Sequence, residues 1–68
     1  MSSEVFKVIE IVGSSPEGVD HAIRNAIKKA AATVRNISWF EVVETRGHVV
    51  DGAVGHFQVT LKLGFTLE

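Results

Sequence analysis

The 68-residue chain contains no cysteine, which excludes disulfide bonds and thiolate metal sites. A reducing compartment is compatible with this composition. A chain this short buries only about 60% of the surface that its unfolded form exposes. Small scaffolds usually compensate with disulfides, a metal or oligomerisation. Because 46% of the residues are hydrophobic and no disulfide is possible, oligomerisation is the expected source of additional burial.

Charge and hydropathy exclude two further classes of partner. Seven basic residues and eight acidic residues are spread along the chain for a net charge of −1, with no basic run that could neutralise nucleic-acid phosphates. No apolar run approaches the roughly 18 residues of a membrane span, and the N-terminal segment lacks a signal-peptide pattern. We therefore expect a cytoplasmic protein, a single domain over residues 1–68, that binds neither nucleic acid nor a membrane.

Three segments have the side-chain alternation of β-strands. Residues 4–13 are rich in β-branched side chains and end at a glycine. The second segment contains the only tryptophan, Trp39, and ends at Asp51–Gly52, a strong signal for a two-residue hairpin loop. The last segment, 55–67, has one apolar face, formed by Phe57, Val59, Leu61, Leu63, Phe65 and Leu67, and a second face formed by His56, Gln58, Thr60, Lys62, Gly64 and Thr66.

A helix is predicted between the first two strands. Ser15 followed by Pro16 suits an N-cap and a first helical position, whereas Ser14 and Glu17 have the spacing of a capping box. Both interpretations begin the same helix, which we expect to end at Asn36. Its apolar stripe consists of residues three and four positions apart, namely Val19, Ala22, Ile23, Ala26, Ile27, Ala30 and Val34.

The order strand–helix–strand–strand predicts an α+β fold. One intervening helix leaves the first two strands parallel to each other, and the hairpin makes the third strand antiparallel to the second. If the third strand lies between the other two, the result is a three-stranded antiparallel sheet of order 1-3-2 packed on the helix. Its continuous apolar face suits that central position. A mixed sheet of order 1-2-3 is the alternative.

The hairpin loop determines which residues pair across the second and third strands. With Asp51 and Gly52 as the loop, Phe40 pairs with Leu63 on the side of the helix and Trp39 pairs with Gly64 on the opposite side. The missing side chain of Gly64 leaves room above the sheet. A register different by one residue would exchange the two sides.

The side that carries Trp39 is the side that a monomer would expose. In this register Gln58 and Thr45 share it, whereas Glu44 and Arg46 continue the helix-facing side beyond the reach of the helix. The ordinary interpretation of Trp39 is a hydrophobic anchor in a subunit interface, where tryptophan is enriched. A planar ligand is the alternative.

The sequence has no other pattern that indicates chemistry. His48 and His56 flank the hairpin, but they lack a third ligand at a spacing typical of zinc sites, so we predict no metal site. His21 is expected to be solvated. No nucleophile–base pair and no glycine-rich phosphate loop stands out.

Three segments together resemble the dodecins: VIEIVGSSPEGVDHAI, WFEVVETRGHVVDG and HFQVTLKLGFTLE, in this order and spacing over nearly the whole chain. Dodecins are small flavin-binding proteins that assemble into a hollow, spherical dodecamer. The resemblance implies storage and buffering of a flavin, either FMN or riboflavin, without catalysis, so we expect the protein not to be an enzyme. It also implies that Trp39 stacks on the isoalloxazine ring and that Gln58 hydrogen-bonds the polar edge of that ring.

The resemblance suggests roles for three more positions. Arg46 matches a commonly basic position and is expected to contact the FMN phosphate or an assembly partner, and Glu44 matches an acidic position near the flavin chain or an associated cation. Relatives often have arginine where this chain has Thr66. The neutral Thr66 removes one candidate phosphate contact, so coenzyme A is a doubtful ligand.

Along a regular strand, Trp39 and Gln58 would lie about 20 Å apart. We therefore expect a site that combines residues from different subunits. A purely structural homo-oligomeric scaffold and a flavin-dependent enzyme are the alternative functions.

Overall fold

The computed structural model describes residues 3–67 and contains three strands and one helix. Their order is β1 (Phe6–Ser15), α1 (Val19–Ala31), β2 (Ile37–Val50) and β3 (Ala53–Thr66). The strands form one antiparallel sheet in the order β1-β3-β2. The predicted α+β fold is thus confirmed, and the mixed 1-2-3 sheet is excluded. No helix within residues 3–67 is long and apolar enough to cross a membrane.

The core lies between the helix and the central strand. Val59, Leu61 and Leu63 of β3 are fully buried because strands flank them on both sides and α1 lies above. On the helix, the buried positions are small: Ala22, Ala26 and Ala30. These alanines allow a close approach of the helix to the sheet.

Gly13 of β1 sits at the closest point of that approach. A Cβ atom at this position would collide with the backbone oxygen of Ala22 and would lie 2.6 Å from the Cβ of Ala26. Glycine is therefore required here for helix–sheet packing.

The structure corrects the predicted start of the helix and the end of the first strand. α1 begins after Gly18, which provides no side-chain cap. Ser15 is the last residue of β1, and its Oγ accepts a hydrogen bond of 3.0 Å from the Glu17 N–H. Ser14 likewise belongs to β1, so neither capping interpretation was right. The serines extend the strand because they pair with Gln58 and Phe57 of β3.

The predicted helix end at Asn36 was also wrong. The helix ends at Ala31, and hydrogen bonds from the Thr33 and Val34 N–H groups to the Ala30 oxygen, at 3.1 and 2.8 Å, close the following turn. Asn36 itself has a φ of 64°, in the left-handed region that asparagine tolerates better than most residues. It therefore acts as a turn residue immediately before β2.

The hairpin forms as predicted. Asp51 and Gly52 have φ values of 52° and 76°, as a two-residue type I′ loop requires. At the other end of the hairpin, Trp39 pairs with Gly64 and Phe40 with Leu63. These pairings confirm the predicted register around the tryptophan.

Between these two ends, the register changes at Gly55 of β3, near the loop, and changes back at Val43 of β2. Val43 has no partner on β3, so two residues of β2 oppose one of β3 in a β-bulge. After the bulge, Glu44 pairs with Thr60 and Arg46 with Gln58. An inserted residue exchanges the two sides of the strand.

The bulge overturns the predicted sides of three residues. Glu44 and Arg46 do not continue the helix-facing side, because their partners on β3 lie on the side away from the helix. Thr45 pairs with Val59, whose side chain lies in the core, and is therefore on the helix-facing side rather than the side of Trp39. Regular alternation failed here because it assumes an uninterrupted strand.

The folded chain is elongated and exposes much apolar surface. Its radius of gyration is 14.2 Å, against about 11 Å for a compact domain of this length. Its accessible surface is 4962 Å², against about 4,200 Å² for a monomer of this mass. The large hydrophobic side chains that remain exposed are Val5, Phe6, Val8, Val12, Trp39, Phe40, Val42, Val43, Val49, Val50, Val54 and Leu67.

Candidate functional site

The sheet has one face that the helix does not cover, here called the open face. It consists of Phe6, Val8, Glu10, Val12 and Ser14 of β1, Trp39, Glu41, Glu44, Arg46 and His48 of β2, and His56, Gln58, Thr60, Lys62 and Gly64 of β3. One end is aromatic and the hairpin end is polar. All four predicted site residues, Trp39, Glu44, Arg46 and Gln58, lie on this face.

Trp39 occupies the aromatic end. Its indole lies directly over Gly64, because a Cβ built on that glycine would overlap ring atoms Nε1, Cε2 and Cζ2. The Phe6 ring packs edge-on against the indole, with a centroid distance of 6.3 Å and an interplanar angle of 62°. Two neighbours thus hold the ring in place, yet 39% of Trp39 remains exposed.

The polar part of the open face centres on Gln58 and Arg46, which are direct cross-strand partners. The Arg46 guanidinium donates from Nη2 to both oxygens of the Glu44 carboxylate, at 3.1 and 3.2 Å. This ion pair within one strand offsets the charge of both groups. An anionic ligand that approaches Arg46 therefore also meets a carboxylate.

The two ends of the open face do not meet within one chain. Gly64, over which the tryptophan lies, is six residues from Gln58 along β3, a separation of about 20 Å in a regular strand. β3 has no register shift with β1 over this length, so it does not fold back. A single small ligand cannot contact both Trp39 and Gln58 of one chain.

This sequence is similar to known proteins over nearly its full length. The Dodecin family model matches residues 5–68. The chain belongs to the dodecin family. The dodecin of Thermus thermophilus is 45% identical over 65 residues, which cover 96% of this chain and 94% of that protein.

Solved dodecin structures have the same fold. The Streptomyces davaonensis dodecin shares 55% identity with a TM-score of 0.94, and the alignment covers 98% of each chain. The Streptomyces coelicolor dodecin shares 54% identity with a TM-score of 0.95, covering 100% of this chain and 97% of that one. At this similarity the strand pairing described above is a property of the dodecin fold.

Sequence reasoning missed Phe6 as part of the site of this family member. The residue lies on β1, remote in sequence from Trp39, and reaches it only because β1 and β2 flank the same central strand. The local sequence pattern gives no signal for it, because only the pairing of Phe6 with Thr66 places it near Gly64 on the open face.

Thr66, singled out from the sequence, makes local contacts with the start of β2. Its hydroxyl lies 3.1 Å from the Ser38 hydroxyl, a hydrogen-bonding distance. A second bond joins the Thr66 N–H to the Asn36 oxygen at 3.1 Å. These contacts hold the start of β2, next to Trp39, against the end of β3, and they bring no positive charge.

Proposed function

We propose that this dodecin stores and buffers flavins, FMN or riboflavin, in a hollow homododecamer without catalysing a reaction on them. The observation that supports this proposal is the tryptophan on the open face, positioned by Gly64 and Phe6 and still accessible. An indole held this way loses little conformational freedom when a planar ring stacks on it, so more of the stacking energy contributes to affinity. Aromatic pairs gain about 0.5–1.5 kcal/mol beyond the burial of their area.

The polar edge of the flavin is proposed to meet Gln58 of a neighbouring subunit. An amide side chain both donates and accepts hydrogen bonds, as the imide edge of the isoalloxazine does. Because Trp39 and Gln58 of one chain lie about 20 Å apart along the sheet, the complete pocket requires at least two chains. Assembly thus creates the binding site.

The exposed apolar surface supports the assembly itself. The chain has more accessible surface than a compact monomer of its size, and residues 3–67 include twelve exposed large hydrophobic residues, distributed over both faces of the sheet. Exposed apolar surface of this extent usually marks an interface. The twelvefold number is proposed from family membership.

The ion pair of Arg46 and Glu44 bears on which flavin is preferred. For Arg46 to bind the phosphate of FMN, its guanidinium must share or leave the Glu44 carboxylate. Riboflavin, which has no phosphate, does not require this exchange. Thr66 adds no cation nearby, so coenzyme A is not proposed as a ligand.

The proposal is tested by titrating riboflavin with wild-type protein and with Trp39→Ala while following flavin fluorescence. An electron-rich indole at stacking distance should quench that fluorescence. Removal of a stacking aromatic costs about 1–3 kcal/mol where bases stack on proteins, or roughly a 5- to 150-fold loss of affinity. Phe40→Ala is a matched control, because it truncates the adjacent aromatic residue on the opposite side of the sheet.

Light scattering must show the same oligomer in all three proteins. Unchanged affinity and quenching in an assembled Trp39→Ala protein would place the flavin site elsewhere. An assembled wild-type protein that binds no flavin would instead support a purely structural scaffold. Identification of any yellow compound released on denaturation then distinguishes FMN from riboflavin.

A further inference from the structure

Two histidines lie opposite each other on the open face, beyond the proposed flavin contacts. His48 of β2 and His56 of β3 are direct cross-strand partners. Their ring centroids are 4.3 Å apart, and the rings are tilted by 42°. Both histidines were predicted to flank the hairpin without a third ligand, and cross-strand pairing places them side by side.

From this pair we propose a binding site for a divalent transition-metal ion, with His48 and His56 as a two-imidazole chelate. Opposed residues of an antiparallel pair have Cβ atoms about 4.5–5.5 Å apart. A metal bound by histidine lies about 2.0–2.1 Å from each ring nitrogen. Two imidazoles at the observed spacing can reach one ion by rotation of their side-chain torsions alone, without movement of the backbone.

The backbone around the pair is held on both sides. The Arg46–Gln58 pair precedes it, and pairing resumes at Val49 and Val54 after a bulge that leaves Gly55 without a partner. Ligands carried by paired strands keep their geometry better than ligands on loops. The metal would therefore bind a preformed site, closing the base of the hairpin loop.

The surroundings suit a metal with open coordination positions. His48 is exposed and His56 is half-buried, so water or a small ligand can complete the coordination shell. The nearest cation on this face, Arg46, is already bound to the Glu44 carboxylate, which reduces its repulsion of a metal. No group of three or more histidine or carboxylate ligands occurs within residues 3–67, so the two imidazoles determine which ion binds.

Imidazole ligands favour Cu²⁺, Ni²⁺ and Zn²⁺ over harder ions. Among these three, the site should bind Cu²⁺ more tightly than Ni²⁺ or Zn²⁺. Mg²⁺ and Ca²⁺ prefer oxygen ligands. The proposed class of ligand is therefore a borderline transition metal, and an excess of Mg²⁺ or Ca²⁺ should not displace it.

The test is calorimetric titration of Zn²⁺, and separately Cu²⁺, into the assembled, untagged protein after EDTA treatment and dialysis. We expect one ion per chain in the wild type. His48→Ala and His56→Ala should each weaken binding at least about tenfold, because even loss of an indirect partner of a metal ligand costs about 10- to 100-fold. His21→Ala is the matched control, since this third histidine lies on the helix and contacts Glu17 instead, at 3.2 Å.

Electron paramagnetic resonance of the Cu²⁺ complex gives a second readout that does not depend on variants. Coupling to two imidazole nitrogens is expected. The proposal is overturned if the wild-type protein binds no metal, or if either His48→Ala or His56→Ala binds it as tightly as the wild type. It is also overturned if His21→Ala weakens metal binding as much as the hairpin substitutions do. A spectrum with one nitrogen, or displacement by Ca²⁺, would also overturn it. His48→Asn and His56→Asn replace the alanine variants if light scattering shows that either one fails to assemble.

Discussion

Gly64→Ala is the most informative single perturbation of the flavin site, because it adds one methyl group beneath Trp39. The added Cβ would overlap the indole atoms that now lie over the glycine. The backbone of Gly64 is not in the left-handed region, so alanine introduces no backbone strain. The substitution therefore acts through the indole alone.

The expected magnitude follows from how the clash is relieved. Overpacking a rigid core costs about 1–3 kcal/mol, but Trp39 is 39% exposed and can rotate towards solvent. The free energy of unfolding should then change little, and the loss should appear in flavin binding. If the indole no longer stacks, the cost is about 1–3 kcal/mol, which is roughly a 5- to 150-fold weaker Kd.

The assay is the riboflavin fluorescence titration, combined with the emission spectrum of the single tryptophan without ligand. Gly64→Ala should weaken binding and shift the emission maximum to longer wavelength as the indole becomes more solvated. Gly18→Ala is the matched control: its added Cβ would meet only the Asp20 carboxylate, at 3.3 Å, and Gly18 precedes the helix, away from the open face.

A double-mutant cycle separates an effect through the indole from a general disturbance of the sheet. If Gly64 acts by positioning Trp39, the double variant Trp39→Ala/Gly64→Ala should bind flavin no more weakly than Trp39→Ala alone. Strictly additive losses would mean that the two positions act independently. Wild-type affinity and emission in Gly64→Ala would refute the positioning role.

Three further predictions concern phosphate recognition, assembly and the core. Arg46→Ala should weaken the binding of FMN more than that of riboflavin, by at most about 1.5–3 kcal/mol, the value of a charged hydrogen bond. Parallel titrations of both flavins measure this difference. Equal losses of affinity for the two flavins would mean that Arg46 does not bind the phosphate. The wild-type protein should be a heat-resistant oligomer many times larger than 7.4 kDa, and light scattering that detects a stable folded monomer would contradict this. Leu61→Ala, at a fully buried position, should lower the free energy of unfolding by about 2–5 kcal/mol, measured by denaturant unfolding at fixed protein concentration. Val49→Ala, at the most exposed large hydrophobic residue within 3–67, should lower it much less.

Sequence patterns alone were sufficient for the architecture and for the position of the tryptophan. The alternation of β3 predicted a strand with one wholly apolar face, and burial of Val59, Leu61 and Leu63 confirms it. Asp51 and Gly52 predicted the loop and, with it, the pairing of Trp39 with Gly64. These features are local, because alternation and turn chemistry depend on residues close in sequence.

Only the tertiary structure shows where β1 ends and which side of β2 carries Glu44 and Arg46, because both depend on pairing with β3. Ser14 and Ser15 have the local chemistry of helix caps, but pairing with β3 draws them into β1. Val43 continues an apolar run after Val42, so nothing in the pattern reveals that it has no partner and moves Glu44 and Arg46 to the open face.

Local sequence patterns also do not predict which side chains lie next to Trp39 or next to His48. Phe6 reaches Trp39, and His48 meets His56, only because distant segments pair across β3 or within the hairpin. A sequence pattern records which side of a strand a residue prefers. The register of the pairing is set by bulges and cross-strand contacts as the sheet forms. It determines which residues share a side and so which chemistry they can perform together.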